Sequence, residues 1–102
     1  MVNHVFEQFG IVRKHKYTGE YILSFDEAIK IIQYINDHHV AVCLGGDVLD
    51  SDGSYRTPNW YYNPDKELSR AENIERSCQV AIEFLQRPYN RDRFSYIIVL
   101  HE

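Results

Sequence analysis

The sequence predicts a single α/β (α+β) domain over residues 1–102, a small mixed or antiparallel sheet with two amphipathic helices packed on it. Three observations predict it. Two Ser-x-x-Glu sequences each open a stretch whose apolar residues recur at helical spacing. Two apolar runs, at 40–44 and 94–100, read as strands. Between them, Asp50-Ser51-Asp52-Gly53 is a turn signal with strand-forming residues on both sides. A length of 102 residues suits one core, and 44% hydrophobic with 25% charged residues is the composition of a folded chain.

The first helix opens at Ser24-Phe25-Asp26-Glu27, a capping box in which a hydroxyl and a carboxylate each satisfy an orphan backbone N–H. Phe25, Ala28, Ile29, Ile32 and Ile35 form its stripe, and it ends near 36–39, with His38 and His39 at the negative end of the helix dipole. An uninterrupted apolar run follows at 40–44. Gly45-Gly46-Asp47-Val48 comes next. A phosphate-cradling loop would need a lysine and a helix start there, so the expected role of the glycines is a bulge or a close backbone approach, with Asp47 bonding local amides. Residues 48–49 and 55–62 form a hairpin around the acidic turn, and alternation puts Tyr61 on the face opposite Trp60 and Tyr62. Weaker strand candidates stand at 11–12 and 21–23.

The second helix opens at Ser69-Arg70-Ala71-Glu72 and carries Ile74, Cys78, Ala81, Ile82 and Leu85 as its stripe. Arg87 complements the dipole at its end and Pro88 stops it. After a polar loop at 89–93, the run 94–100 is apolar on both faces, as expected of an interior strand.

Charge narrows the function. A formal net charge of −4 disfavours nucleic acid and anionic membranes and favours a basic protein partner. The first ten residues have no basic segment followed by an apolar stretch, so neither a signal peptide nor a membrane span is expected and the protein is placed in the cytoplasm. Cys43 and Cys78 form no CxxC, which favours two reduced core thiols; the sequence leaves a disulfide between them open.

No cofactor and no metal are expected. Aligning Gly53 with the glycine of a calcium loop places Val48 and Asn59 where two carboxylate ligands belong. The five histidines, His4, His15, His38, His39 and His101, show no chelating spacing. Ser77 and Cys78 lie mid-helix without a strained elbow. A small RNase-like enzyme would have to recruit His15, Lys16 and Tyr17, or Arg91 and Arg93, or Asp47, and none stands at a diagnostic spacing. The chain therefore reads as a binding protein rather than an enzyme. A regulatory module that homodimerises through its aromatic edge is the other alternative, and the oligomeric state is open. Eight Tyr, five Phe and one Trp supply residue types that anchor interfaces.

Gly45-Gly46-Asp47-Val48, then Asn59-Trp60-Tyr61 after a polar turn, then Ser77 and Ala81 in a helix, then a closing aromatic strand together resemble a group of small bacterial immunity proteins. Those are encoded beside polymorphic or contact-dependent growth inhibition toxins. The resemblance covers roughly residues 20–100. It implies a cytosolic, non-catalytic protein that binds one toxin domain, often a nuclease, and blocks it. Gly45, Gly46 and Trp60 are then expected to serve the fold. The expected partner surface is Asp47, Asp50 and Asp52 facing a basic patch of the toxin, with Tyr61 or Tyr62 anchoring beside them. A rival surface is the helix that starts after Ser69, through Glu72 and Glu75.

Overall fold

A computed structural model of the chain describes residues 3–50, 52–90 and 94–101, with residues 3 and 56–58 described by backbone alone. Ser51, Arg91 and Arg93 lie outside the described residues. In chain order the elements are α1 (Asn3–Gln8), α2 (Phe25–His38), β1 (Val42–Leu49), β2 (Tyr55–Tyr61), α3 (Arg70–Leu85) and β3 (Ser95–His101).

Both capping boxes form. Ser24 Oγ accepts the Glu27 N–H at 3.2 Å and the Glu27 carboxylate accepts the Ser24 N–H at 2.8 Å. Ser69 and Glu72 repeat the arrangement at 3.1 Å in each direction. The far end of α2 is closed by His39 in the left-handed conformation and by Arg70, whose guanidinium donates to the carbonyls of His39 and Val40. Arg70 thereby ties the start of α3 to the end of α2.

The three strands form one antiparallel sheet in the order β2-β1-β3. α3 lies on β1, while α2 packs against α3 and β3. Ile31, Ile32 and Ile35 of α2 meet Ile74, Cys78 and Leu85 of α3 in a core closed by Val48, Trp60, Tyr96 and Ile98 from the sheet.

The structure departs from the sequence reading at four elements. β1 does not stop at residue 44; it begins at Val42 and runs to Leu49, so the glycine pair lies inside the strand. β3 is an edge strand rather than an interior one. Tyr96, Ile97 and Ile98 are buried on it, but Val99 is 39% exposed. The candidates at 11–12 and 21–23 make no strand, only the isolated bridges Lys14–Tyr21 and Leu23–Tyr96. Finally, α1 was not anticipated. Its six residues are too few for a periodic signal, yet it sends Val5 and Phe6 into the core, where Phe6 stacks on Tyr21.

Strand alternation divides the sheet into two faces. Val48, Trp60, Tyr96 and Ile98 point to the helices. The outer face carries Leu49, Asp47, Asn59, Tyr61, Ile97 and Val99. Leu49 and Ile97 are buried there, outside the main core. Segment 14–22 crosses that end of the face, held where the His15 ring bonds the Gly53 carbonyl at 3.2 Å and packs 5.3 Å from the Tyr55 ring.

Candidate functional site

The short motifs of the sequence turn first to the fold. β1 slips register against β3 between Cys43 and Gly45, and beside that slip the Cys43 N–H bonds to α3 rather than to a strand. Ser77, fully buried, takes that N–H on its Oγ at 3.0 Å and donates to the Ile74 carbonyl at 2.8 Å. Gly46 sits beneath the Trp60 indole; a Cβ there would run into the ring and into the Ile97 carbonyl oxygen. A Cβ on Gly45 would strike the Trp60 carbonyl and the Tyr61 Cα. Trp60 is 7% exposed and packs 4.8 Å from the Phe84 ring, between centroids.

What remains of the motifs faces outward. Gly45, itself buried, pairs with Tyr61 on β2 and with Val99 on β3, whose side chains stand on the outer face. Tyr61 is 76% exposed. Two residues along β1 on the same face stands Asp47, half-buried, opposite Asn59 on one side and Ile97 on the other. The group that favours its charged form is the Asn59 side chain across the ladder, rather than the local amides expected. Burial, and then the neighbouring Glu20 charge, push its carboxyl above the usual carboxylate range against that effect.

The other expected partner residues separate. Asp50 and Asp52 occupy the hairpin turn, where the Asp50 N–H donates to the Ser54 carbonyl at 2.8 Å. The Asp52 carboxylate accepts the Ser54 hydroxyl and the Ser54 N–H; these bonds, and more weakly the nearby Lys16, hold its pKa below the ordinary value. The acidic turn thus faces a lysine of its own chain. Tyr62 does not stand beside Tyr61: it is half-buried, packs against the core and donates its hydroxyl to Asn73 Oδ1 at 2.6 Å. On α3, Glu72 is spent on the Ser69 N–H, which lowers its pKa, and Glu75 pairs with the His39 ring at 3.2 Å.

Asn73 was missed. Its Oδ1 also accepts the Asp65 N–H at 2.8 Å, and its Nδ2 donates to the carbonyls of Asp65 and Ser69, so one buried amide pins the loop between β2 and α3. An Asn in the first turn of a helix carries no pattern by which sequence reasoning would single it out.

An open cleft of about 560 Å³ separates segment 14–17 from the hairpin turn, with Lys14, Lys16 and Tyr17 on one wall and Asp52 and Tyr55 on the other. His15, buried at its floor, accepts the Tyr17 N–H on Nδ1 at 3.3 Å and so donates from Nε2 to Gly53. Both nitrogens are engaged with backbone. Cys43 and Cys78 are buried free thiols. Among the described residues no group of three or more His, Cys, Asp or Glu side chains is placed to hold a metal ion, and no helix is long and apolar enough to cross a membrane.

Residues 6–101 match a protein-family model described as Immunity protein 40. No curated protein and no solved structure matches the chain.

Proposed function

The chain belongs to the Immunity protein 40 family, and from that premise we propose that it binds one cognate toxin domain in the cytoplasm and neutralises it by occlusion, without turnover of its own. The observation that carries the reading is the family match across nearly the whole chain. The toxin of this reading belongs to a contact-dependent or other polymorphic system, is basic, and is a nuclease. The chain's net charge of −4 supports a cationic partner, and nucleases that grip phosphate need cationic surfaces.

The docking surface is the outer sheet face around Asp47 and Tyr61, with Asp50 and Asp52 at its hairpin end. Two observations support this choice over the rival. Tyr61 is the most exposed ring on the sheet, and Asp47 is a half-buried carboxylate beside another carboxylate. Glu72 and Glu75 are each engaged within the fold, and Tyr62 is tied to Asn73.

The test is co-expression with the C-terminal domain of the toxin encoded next to this gene, followed by calorimetry on the purified pair. The expected result is a stable stoichiometric complex and loss of toxin activity. A toxin that stays active and unbound at micromolar concentrations of the chain would end the reading.

A further inference from the structure

β3 lies at one edge of the sheet, with β1 along its inner side. Its outer side is paired at one end only, where Leu23 and Tyr96 exchange both backbone bonds, at 2.8 and 2.9 Å. In an antiparallel ladder such exchanging positions recur at every second residue, so the backbone groups of Ile98 and Leu100 point the same way as those of Tyr96. The chain before Leu23 leaves the edge and pairs Tyr21 with Lys14 instead. Between it and the edge lies a groove of about 270 Å³, lined among others by Phe6, Glu20, Tyr21, Ile98 and Leu100. Among the described residues nothing bonds the N–H and C=O groups that Ile98 and Leu100 turn outward, although both residues are buried, at 5% and 7% exposure. Backbone groups in buried residues are nearly always paired. A row of them at strand spacing fits one partner above others, another extended backbone.

Resting on the immunity reading above, we propose that an extended segment of the toxin adds to this edge as a further strand, bonding Ile98 and Leu100 and carrying a lysine or arginine between two apolar residues. Alternation gives the pattern. Side chains opposite Ile98 and Leu100 fall on the core side, where Phe6 and Tyr21 supply an apolar wall. The side chain between them falls opposite Val99 on the outer face, where Glu20 lines the groove and its charge reaches Asp47. A cation is favoured there and a carboxylate opposed. The groove is smaller than the roughly 300–1,000 Å³ of small-molecule pockets, which suits a narrow backbone. A second copy of the chain fits worse, because two-fold pairing of two β3 edges would join two chains of net charge −4 and set the Glu20 of each beside the shared seam. The opposite edge of the sheet is blunted, since β2 carries Pro58 and breaks register between Asp47 and Leu49 of β1.

The experiment is amide hydrogen exchange by NMR on the intact chain, free and bound to the cognate toxin domain. In the free chain Ile98 and Leu100 should exchange faster than Tyr96, whose N–H the Leu23 carbonyl already holds. In the complex both should slow by about tenfold or more while Tyr96 changes little, and Glu20→Lys should weaken binding about tenfold or more. A complex that neutralises the toxin while Ile98 and Leu100 exchange as in the free chain would overturn the added strand and leave the immunity reading standing. Binding of Glu20→Lys within about twofold of the parent would overturn the basic side chain. Protection that appears in the chain alone on concentration would overturn the toxin as occupant in favour of a second copy. A parent chain that binds no toxin would remove the immunity reading instead. In that case acetyl-Val-Lys-Val amide, titrated into the chain alone, decides the edge: saturable shifts of the Ile98 and Leu100 amides support it, and shifts no larger than those from the same peptide N-methylated at both valines overturn it.

Discussion

Gly46 has no side chain where Trp60 lays its ring, and the two residues share one volume between β1 and β2. Trp60→Ala should cost about 3–5 kcal/mol, the range for deleting a buried large aromatic. Trp60 Nε1 has no hydrogen-bond partner among the described residues, so the indole N–H opposes part of what the ring contributes. Trp60→Phe should therefore cost less than half of Trp60→Ala in urea melts, and equal costs would contradict this account of the ring. The two thiols give a second expectation. Burial, and for Cys43 also the neighbouring Cys78, push Cys43 up to about 12 and Cys78 up to about 11, from 9.0 in an unperturbed thiol. The folded chain then holds protons that the unfolded chain releases, so stability is fully present below pH 9 and falls as pH rises from 9 through 11–12. The slope of the urea midpoint over that window should flatten in Cys43→Ala/Cys78→Ala. The sequence suggests buried thiols because Cys behaves as a small hydrophobe; it carries no sign of the Asn73 latch, since long-range hydrogen bonds leave no periodicity.

At the scale of elements, the bulge in β1 and the helix α3 are one device. Beside the register slip at 43–45 the buried Cys43 N–H has Ser77, entering from the helix, as its acceptor. Ser77→Ala leaves the Cys43 N–H unpaired in a dry core and should cost about 1–3 kcal/mol. Exposed caps are worth less: Ser69→Ala should cost about 1 kcal/mol, and thermal melts of the two variants should rank in that order. The helices were legible because both capping boxes are local and both stripes are periodic. The hairpin was legible from Asp50-Ser51-Asp52-Gly53, whose Gly53 adopts φ +87°. β1 was read too short, because a glycine pair ordinarily ends a strand and only the Trp60 ring explains one in the middle. β3 was read as interior because its apolar run reflects cover from two unlike sources, the helices on one face and segment 14–22 on the other. α1 lay below the length at which periodicity speaks.

At the scale of the molecule, the acidic residues read from the sequence as one patch are divided by the fold, because sequence proximity places Asp47 near the turn but not the lysine that faces it. Asp52 lies across the cleft from Lys14 and Lys16, while Asp47 and Glu20 form a separate anionic pair on the outer face. Binding of a cationic toxin should separate accordingly. Charges within about 8 Å of the encounter surface, one Debye length at physiological ionic strength, steer association, and more distant ones are screened. Asp50→Asn/Asp52→Asn therefore removes charge that Lys16 already offsets in part and should lower the association rate by less than about threefold. Asp47→Asn/Glu20→Gln should lower that rate more and reduce its salt dependence. Tyr61→Ala, which removes contact area but no charge, should leave association nearly unchanged and speed dissociation, where most affinity differences reside. Surface-plasmon kinetics against the cognate toxin domain at two salt concentrations separates the three. If the turn variant slows association more than the outer-face variant does, the toxin approaches through the hairpin and the docking surface moves to that end of the sheet.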